Sequence, residues 1–257
     1  MVNKFFKKDP EKTRLNVIKK NKIDPIYIEQ LKKSKLLEMG EIEAWTAIGS
    51  NAKLAYLTHG AFRFFGKFPP PVATYLLHKY TNEDSMVIDP MAGSGTTSVE
   101  CIINNRRCIS YDVNPLMLLL TKVKTTYLDC DLITRNMNIL KSNYKPMDFK
   151  VVKSEYKGIK NPDHWFLPET MDSLYGLKFV IDKIENEKIR NFFIVCFLSI
   201  IRRVSKATSQ QGRMFLDVVT AEKDVFAFFE KKVKKLKIAV SSLPVKNKIN
   251  IKYNNLM

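Results

Sequence analysis

No stretch of this chain approaches the roughly 18 consecutive apolar residues that a membrane-spanning helix needs. The longest mainly apolar run, Phe192–Ile201, stops at Arg202-Arg203. The N-terminal MVNKFFKKDPEK has no apolar signal core, so secretion is not expected and a cytoplasmic location is. The four cysteines, Cys101, Cys108, Cys130 and Cys196, form no CxxC pair, which argues against structural zinc and for free thiols. The three histidines, His59, His78 and His164, lack metal-ligand spacing, so each is read as an ordinary polar or capping residue and no metal is expected. No Ser/His/Asp or Cys/His constellation can be assembled. Acid is scarce: 26 Asp and Glu face 43 Lys and Arg, a formal net charge of +17. That balance points to a polyanionic partner, most often nucleic acid, with a lysine-rich solvated surface as the alternative. An apolar fraction of 45% with 11% aromatics is enough for a packed core and excludes global disorder.

What is present divides into segments. Residues 1–60 read as a basic, helical N-terminal arm, with Ile26, Ile28, Leu31 and Leu36-Leu37 at helical spacing, and Trp45, Ile48 and Leu54 in a second helical stretch. The proline cluster FFGKFPPPVATYLL at 64–77 stops any helix before it, and Pro71 can start the next one. Residues 61–126 then carry an α/β pattern. SMVIDP reads as a short buried strand ending in Asp89, AGSGTTSVECIINN as a glycine turn opening a helix, and RRCISYD as a second strand ending in Asp112. Strand, glycine turn, helix and strand make a βαβ unit. Asn114-Pro115 caps a further helix.

The next strand does not follow. Residues 127–245 read almost wholly as helix, with candidates at 131–142, 168–186, 187–204 and 222–240. The third is apolar on nearly all sides, as expected for the core of a helical insertion. In the last, KKVKKLK at 231–237 reads as a solvated face with Val233 and Leu236 packed beneath. Trp165 and Phe166 before Leu167-Pro168 suggest a hydrophobic staple. Residues 246–257 return to a β-like run, INIKYNN.

The chemistry concentrates in DPMAGSGTT at 89–97. Gly93 and Gly95 permit backbone conformations and close approaches that a Cβ blocks. The helix that follows offers free N–H groups and a partial positive charge to a carboxylate or phosphate. Asp112, at the end of the next strand, can accept from two ribose hydroxyls. A ligand with adenosine at one end and an anionic group at the other fits this pair, and a nicotinamide dinucleotide would fit a GxG turn as well. The third glycine of GxGxxG and the lysine of GxxxxGK[ST] are both missing.

DPMAGSGTT resembles the D-P-F-x-G-S-G-T-T signature of the DNA amino-methyltransferases, which modify adenine N6 or cytosine N4. FGKFPP at 65–70 resembles that family's H/K-F-P segment, and ISYDVNP at 109–115 its ribose-binding segment. The resemblance implies a partial Rossmann-like sheet, S-adenosylmethionine as cofactor, and site residues that follow the motifs. Lys67, Phe68 and Pro69 would line the methionine end, with Phe68 against the ligand. Asp89, beside Pro90, would border the methionine amino group. Ala92, Gly93, Ser94 and Gly95 would form the turn. Thr96 and Thr97, with the helix N-terminus, would receive the carboxylate. Asp112 would hold the ribose and Val113 would lie against adenine. Met91 stands where the family usually has Phe, a flexible apolar replacement.

The family transfers the methyl group with a [DNS]-P-P-[YFW] loop after its fourth strand, whose aromatic stacks on the flipped base. The consecutive prolines of this chain all lie in FPPPVA, so no catalytic residue is assigned in it. INIKYNN resembles the family's third strand, and the fourth would pair beside the first. The expectation is therefore one half of a split enzyme, a heterodimer whose second polypeptide brings the loop and remaining strands, methylating an exocyclic amino group of DNA within a restriction–modification system. A truncated, non-catalytic cofactor- or DNA-binding remnant and a part of an RNA methyltransferase remain as alternatives. In the insertion, Arg202, Arg203, Lys206, Gln210, Gln211 and Arg213, in a polar stretch expected between two helices, are candidates for base and phosphate contacts.

Overall fold

The computed structural model describes residues 54–64, 66–151, 161–210, 213–216, 222–244 and 251–255. The expected helices of the N-terminal arm before residue 54 lie outside the described residues. The chain divides into two units, one holding the residues up to Asp129 with those from Ile238 onward, the other Cys130–Lys237. The whole is a helix-rich mixture with a small parallel sheet.

In the first unit a short 3-10 turn, Leu57–Gly60, precedes helix α1, Pro70–Tyr80. Prolines at its start satisfy the geometry of a first helical turn, where their missing N–H groups cost nothing. Strand β1 (Met86–Asp89), helix α2 (Thr96–Ile103) and strand β2 (Arg107–Asp112) form the expected βαβ unit. The two strands pair in parallel, with Met86 opposite Arg107 and Asp89 opposite Ser110. Helix α3 (Pro115–Thr125) starts at Asn114, whose side-chain Oδ1 accepts from Leu116 N at 2.9 Å, the cap that Asn-Pro announces. Leu77 of α1, Cys101 of α2, Cys108 of β2 and Val87 of β1 pack together between the sheet and its helices.

The second unit contains α4 (Cys130–Asn143), the short α5 (Pro162–Trp165), α6 (Pro168–Asp182), α7 (Glu187–Val204), strands β3 (Ala207–Gln210) and β4 (Arg213–Leu216), and most of α8 (Val225–Ser241). α7 is the buried centre that its sequence announces: Ile189, Phe192, Phe193, Val195, Cys196 and Ile200 are all buried. Val233 and Leu236 are buried while Lys231, Lys234 and Lys235 are exposed, so the lysine-rich run of α8 is a solvated face. Phe166, ahead of α6, is buried.

Two expectations for this unit are corrected. The helix expected over 168–186 ends early, at Asp182, and Asn186 turns its side chain to cap α7, accepting from Ile189 N at 3.2 Å. The polar stretch expected between two helices lies between α7 and α8 but holds two strands. β3 and β4 pair antiparallel, Ala207 opposite Leu216 and Gln210 opposite Arg213. A two-residue link containing glycine between two such runs is a hairpin signal, and the helical reading of the region overrode it.

The C-terminal run forms β5 (Ile251–Asn255), parallel to β2 with Cys108 opposite Ile251 and Asp112 opposite Asn255. The sheet order is β1-β2-β5, which makes β1 an edge strand among the described residues. β1 is also not the buried strand expected of SMVIDP, since as an edge strand it leaves the apolar Met86 and Ile88 exposed.

Candidate functional site

The turn between β1 and α2 is held in one conformation from several sides. Gly93 and Gly95 both take left-handed backbone angles, φ +51° and +75°, where a Cβ would be strained. Ala92 N donates to Tyr111 O at 2.9 Å and Gly95 N to Ala92 O at 2.8 Å, tying the turn to β2 and closing it on itself. The Asp112 carboxylate accepts from Gly93 N at 2.8 Å through one oxygen and from Asn114 N at 2.8 Å through the other. Each oxygen retains a lone pair for a ligand hydroxyl. Asp89 Oδ1 accepts from Met91 N at 3.2 Å.

This turn forms one wall of a pocket of about 300 Å³, with Asp89, Met91, Ala92, Gly93, Ser94, Thr96 and Thr97 on that side and Gly66, Lys67 and Phe68 opposite. The fold thus brings the FGKFPP segment and the glycine turn together around one space. Pro69 lines an adjoining recess of about 450 Å³ that shares Lys67, Phe68 and Thr96. Pro90, Gly95, Asp112 and Val113 are not on the walls of the smaller pocket. Three apolar side chains of the candidate set stand in solvent: Phe68 is 43% exposed, Val113 62% and Met91 86%. Exposed apolar groups beside a polar, left-handed turn are what a ligand with an apolar ring and a charged end would cover.

Behind the turn lies a buried polar layer that sequence reading missed. Lys124 of α3 is fully buried and donates from Nζ to Ser94 O. Burial holds its ammonium well below the usual lysine range; Lys67 nearby adds to this, and Glu100 opposes it. One helical turn earlier on α3, Thr121 Oγ1 donates to Gly93 O at 3.3 Å. Glu100 of α2, also buried, accepts from Tyr56 Oη and Thr74 Oγ1, with His59 Nε2 at 3.0 Å and Asn104 Nδ2 at 3.3 Å. Lys67 donates to His59 O at 2.7 Å and Phe62 O at 2.5 Å, and burial lowers its pKa as well. The signal for Lys124 was in the sequence: with Met117, Leu120 and Thr121 it falls on the one face of α3 that i, i+3, i+4, i+7 spacing buries.

The comparisons with known proteins agree with the motifs. A family model described as DNA methylase matches residues 3–122. The resemblance to the DNA amino-methyltransferases is borne out over this stretch. The chain is 27% identical over 138 residues to the Type II methyltransferase M.MvaI of Kocuria varians, covering 52% of this chain and 30% of that protein. It is 37% identical over 71 residues to the Type II methyltransferase M.MjaII of Methanocaldococcus jannaschii, covering 28% of this chain and 13% of that protein. The chain therefore spans less than a third of the length of these curated relatives. No solved structure matches. The family match contains every residue of the pocket wall and ends inside α3.

The candidate DNA-contacting residues lie in the second unit, at the end of α7 and in the hairpin that follows. Arg202 and Arg203 occupy the last turn of α7, with Arg203 exposed. Lys206 is committed in part to the protein itself, donating from Nζ to Asp163 O at 2.7 Å. Gln210 and Arg213 are register partners in the hairpin ladder, and Gln211 lies outside the described residues. Among the described residues no group of His, Cys, Asp and Glu is arranged to hold a metal, and no helix is long and apolar enough to cross a membrane.

Proposed function

We propose that this chain binds S-adenosylmethionine in the pocket between FGKFPP and the glycine turn, and contributes that site to methyl transfer onto an exocyclic amino group of a DNA base, adenine N6 or cytosine N4. One observation carries the reading. Two segments that resemble family motifs, separated in sequence by helix α1 and strand β1, share one pocket of about 300 Å³. In this reading the sheet is the Rossmann-like sheet of the family, in part.

The residues suit the cofactor. Thr96 and Thr97 and the free N–H groups at the start of α2 suit the methionine carboxylate. Asp89 suits the ammonium. The second lone pairs of Asp112 suit the ribose hydroxyls, Val113 the adenine and Phe68 the methionyl chain. The bound cofactor would supply a sulfonium-activated methyl group. The chain's own part is to bind and orient it and to shield it from water.

The transfer loop and the remaining strands come from a second polypeptide, so that the working enzyme is a heterodimer of the restriction–modification type. The exposed Met86 and Ile88 on β1, an edge strand among the described residues, support a further covering element, because an apolar edge of a parallel sheet is poorly stable uncovered. Arg202, Arg203, Lys206, Gln211 and Arg213 would contact DNA, consistent with the net charge of +17.

The test is co-expression with the adjacent gene, followed by transfer of a radiolabelled methyl group to duplex DNA by each chain and by the mixture. The expected result is activity in the mixture only. Activity of this chain alone would refute the two-chain arrangement. Cofactor binding without transfer in any combination would leave a binding remnant and refute the enzymatic reading. Transfer to structured RNA in preference to DNA would reassign the substrate.

A further inference from the structure

We propose that Lys124 is a positioning residue for the amino-acid end of the cofactor: by holding the Ser94 carbonyl against α3, it keeps the glycine turn in the orientation that leaves the α2 N-terminus open to a carboxylate. The inference rests on the cofactor reading above.

Lys124 has no surface role, since it is buried, and its Nζ is committed to the main chain of the turn. The Ser94 carbonyl is the one that matters. Turned the other way, its oxygen would add a negative dipole to the place where an anionic ligand must sit. Thr121, one turn before Lys124 on the same face of α3, supports the same loop through Gly93 O at 3.3 Å. The space there is tight: a Cβ on Gly95 would lie 2.5 Å from Thr121 Oγ1. The two side chains therefore clamp consecutive peptide units from behind, on the side away from the pocket.

The clamp is itself anchored. Thr58 Oγ1 donates to Lys124 O at 2.8 Å, fixing the end of α3 to the segment that leads into FGKFPP. Glu100, whose charge favours the Lys124 ammonium, is held in α2 by four donors. A polar amine in a buried position costs free energy that an apolar side chain of similar length would not. A Met would fill this position and relieve that cost, but it could not hold the carbonyl. The lysine makes physical sense as a device for the loop rather than for the core.

The test compares ligands with and without the amino-acid end. Lys124→Met in the 257-residue chain is titrated with S-adenosylmethionine, S-adenosylhomocysteine and 5′-methylthioadenosine, which lacks that end. The first two are expected to weaken about three- to tenfold, the value of one buried hydrogen bond. The third is expected to stay within about twofold, and the urea midpoint is not lowered. An equal loss for all three ligands would make Lys124 a structural residue only, and no loss for any would remove its role; both overturn the proposal. If Lys124→Met does not fold, Lys124→Gln, which keeps a neutral donor, is read by the same ligand split. A wild-type chain that binds none of the three ligands would overturn the cofactor reading and this proposal with it.

Discussion

Gly95→Ala is the substitution whose cost the structure defines most closely. Gly95 sits at φ +75°, and an added Cβ would lie 2.5 Å from Oγ1, 2.8 Å from Cγ2 and 2.9 Å from Cβ of Thr121. The left-handed conformation costs an alanine about 1–2 kcal/mol, and overpacking a tight contact about 1–3 kcal/mol more. Reduced freedom of the unfolded chain returns about 0.4–1 kcal/mol. The net expectation is a destabilisation of about 2–4 kcal/mol, read as a shift in urea midpoint at constant m-value. Gly93→Ala is the control. It has a similar left-handed φ of +51°, but the nearest atoms to its added Cβ are 4.0 Å away, so the backbone cost of about 1–2 kcal/mol less the same return of about 0.4–1 kcal/mol leaves a net of about 0–1.5 kcal/mol. Thr121→Ala removes two of the three clashing atoms. In the Gly95→Ala background it is expected to recover about 1–2 kcal/mol, a coupling that a double-mutant cycle measures. Additive effects, or a Gly93→Ala variant as unstable as Gly95→Ala, would refute the reasoning.

Three further outcomes are expected. Gly176→Ala, a helix-interior change that normally stabilises by about 1 kcal/mol, is expected instead to destabilise by up to about 2 kcal/mol net, because its Cβ would clash with the Lys145 carbonyl oxygen, a main-chain atom that cannot rotate away; unfolding by urea checks this. In native protein at pH 8 a thiol reagent is expected to modify Cys130, the one cysteine that is not fully buried, before Cys101, Cys108 and Cys196. Cys196 is expected to be inert until the chain unfolds, because burial pushes its thiol up to about 12 and the thiolate is the reactive form; peptide mapping after timed alkylation reads the order. Asp112→Ala and Gly93→Val are each expected to abolish cofactor binding by calorimetry, Asp112→Ala through the turn as well as the ribose, because its carboxylate also receives the Gly93 and Asn114 N–H groups. Unchanged affinity in a folded Asp112→Ala protein would remove the ribose assignment.

Local chemistry made much of the first unit readable. Asn114-Pro115 declares a helix start because its cap and its fixed φ are short-range properties, and α3 begins there. SMVIDP and RRCISYD declare strands, and the glycines between them declare a left-handed turn, because only glycine occupies that conformation cheaply. In the second unit, the apolar periphery of 187–204 was enough to identify a buried helix. The hairpin at β3 and β4 was obscured because a short strand is stabilised by its partner across the ladder rather than by its own pattern.

The sequence by itself determined the motifs, their order and the residue types a cofactor with an adenosine and an anionic end would need. Those are properties of short segments and follow from backbone sterics and helix-end electrostatics. Tertiary structure alone decided that Lys67 and Phe68 face the glycine turn across a pocket, and that Asp112 serves the turn before any ligand. It also decided that Lys124, Thr121 and Glu100 stand behind the turn. The periodic placement of Thr121 and Lys124 announces burial, but which carbonyl a buried lysine meets depends on how α3 packs on the loop. Packing between elements distant in the chain is not encoded in any one of them.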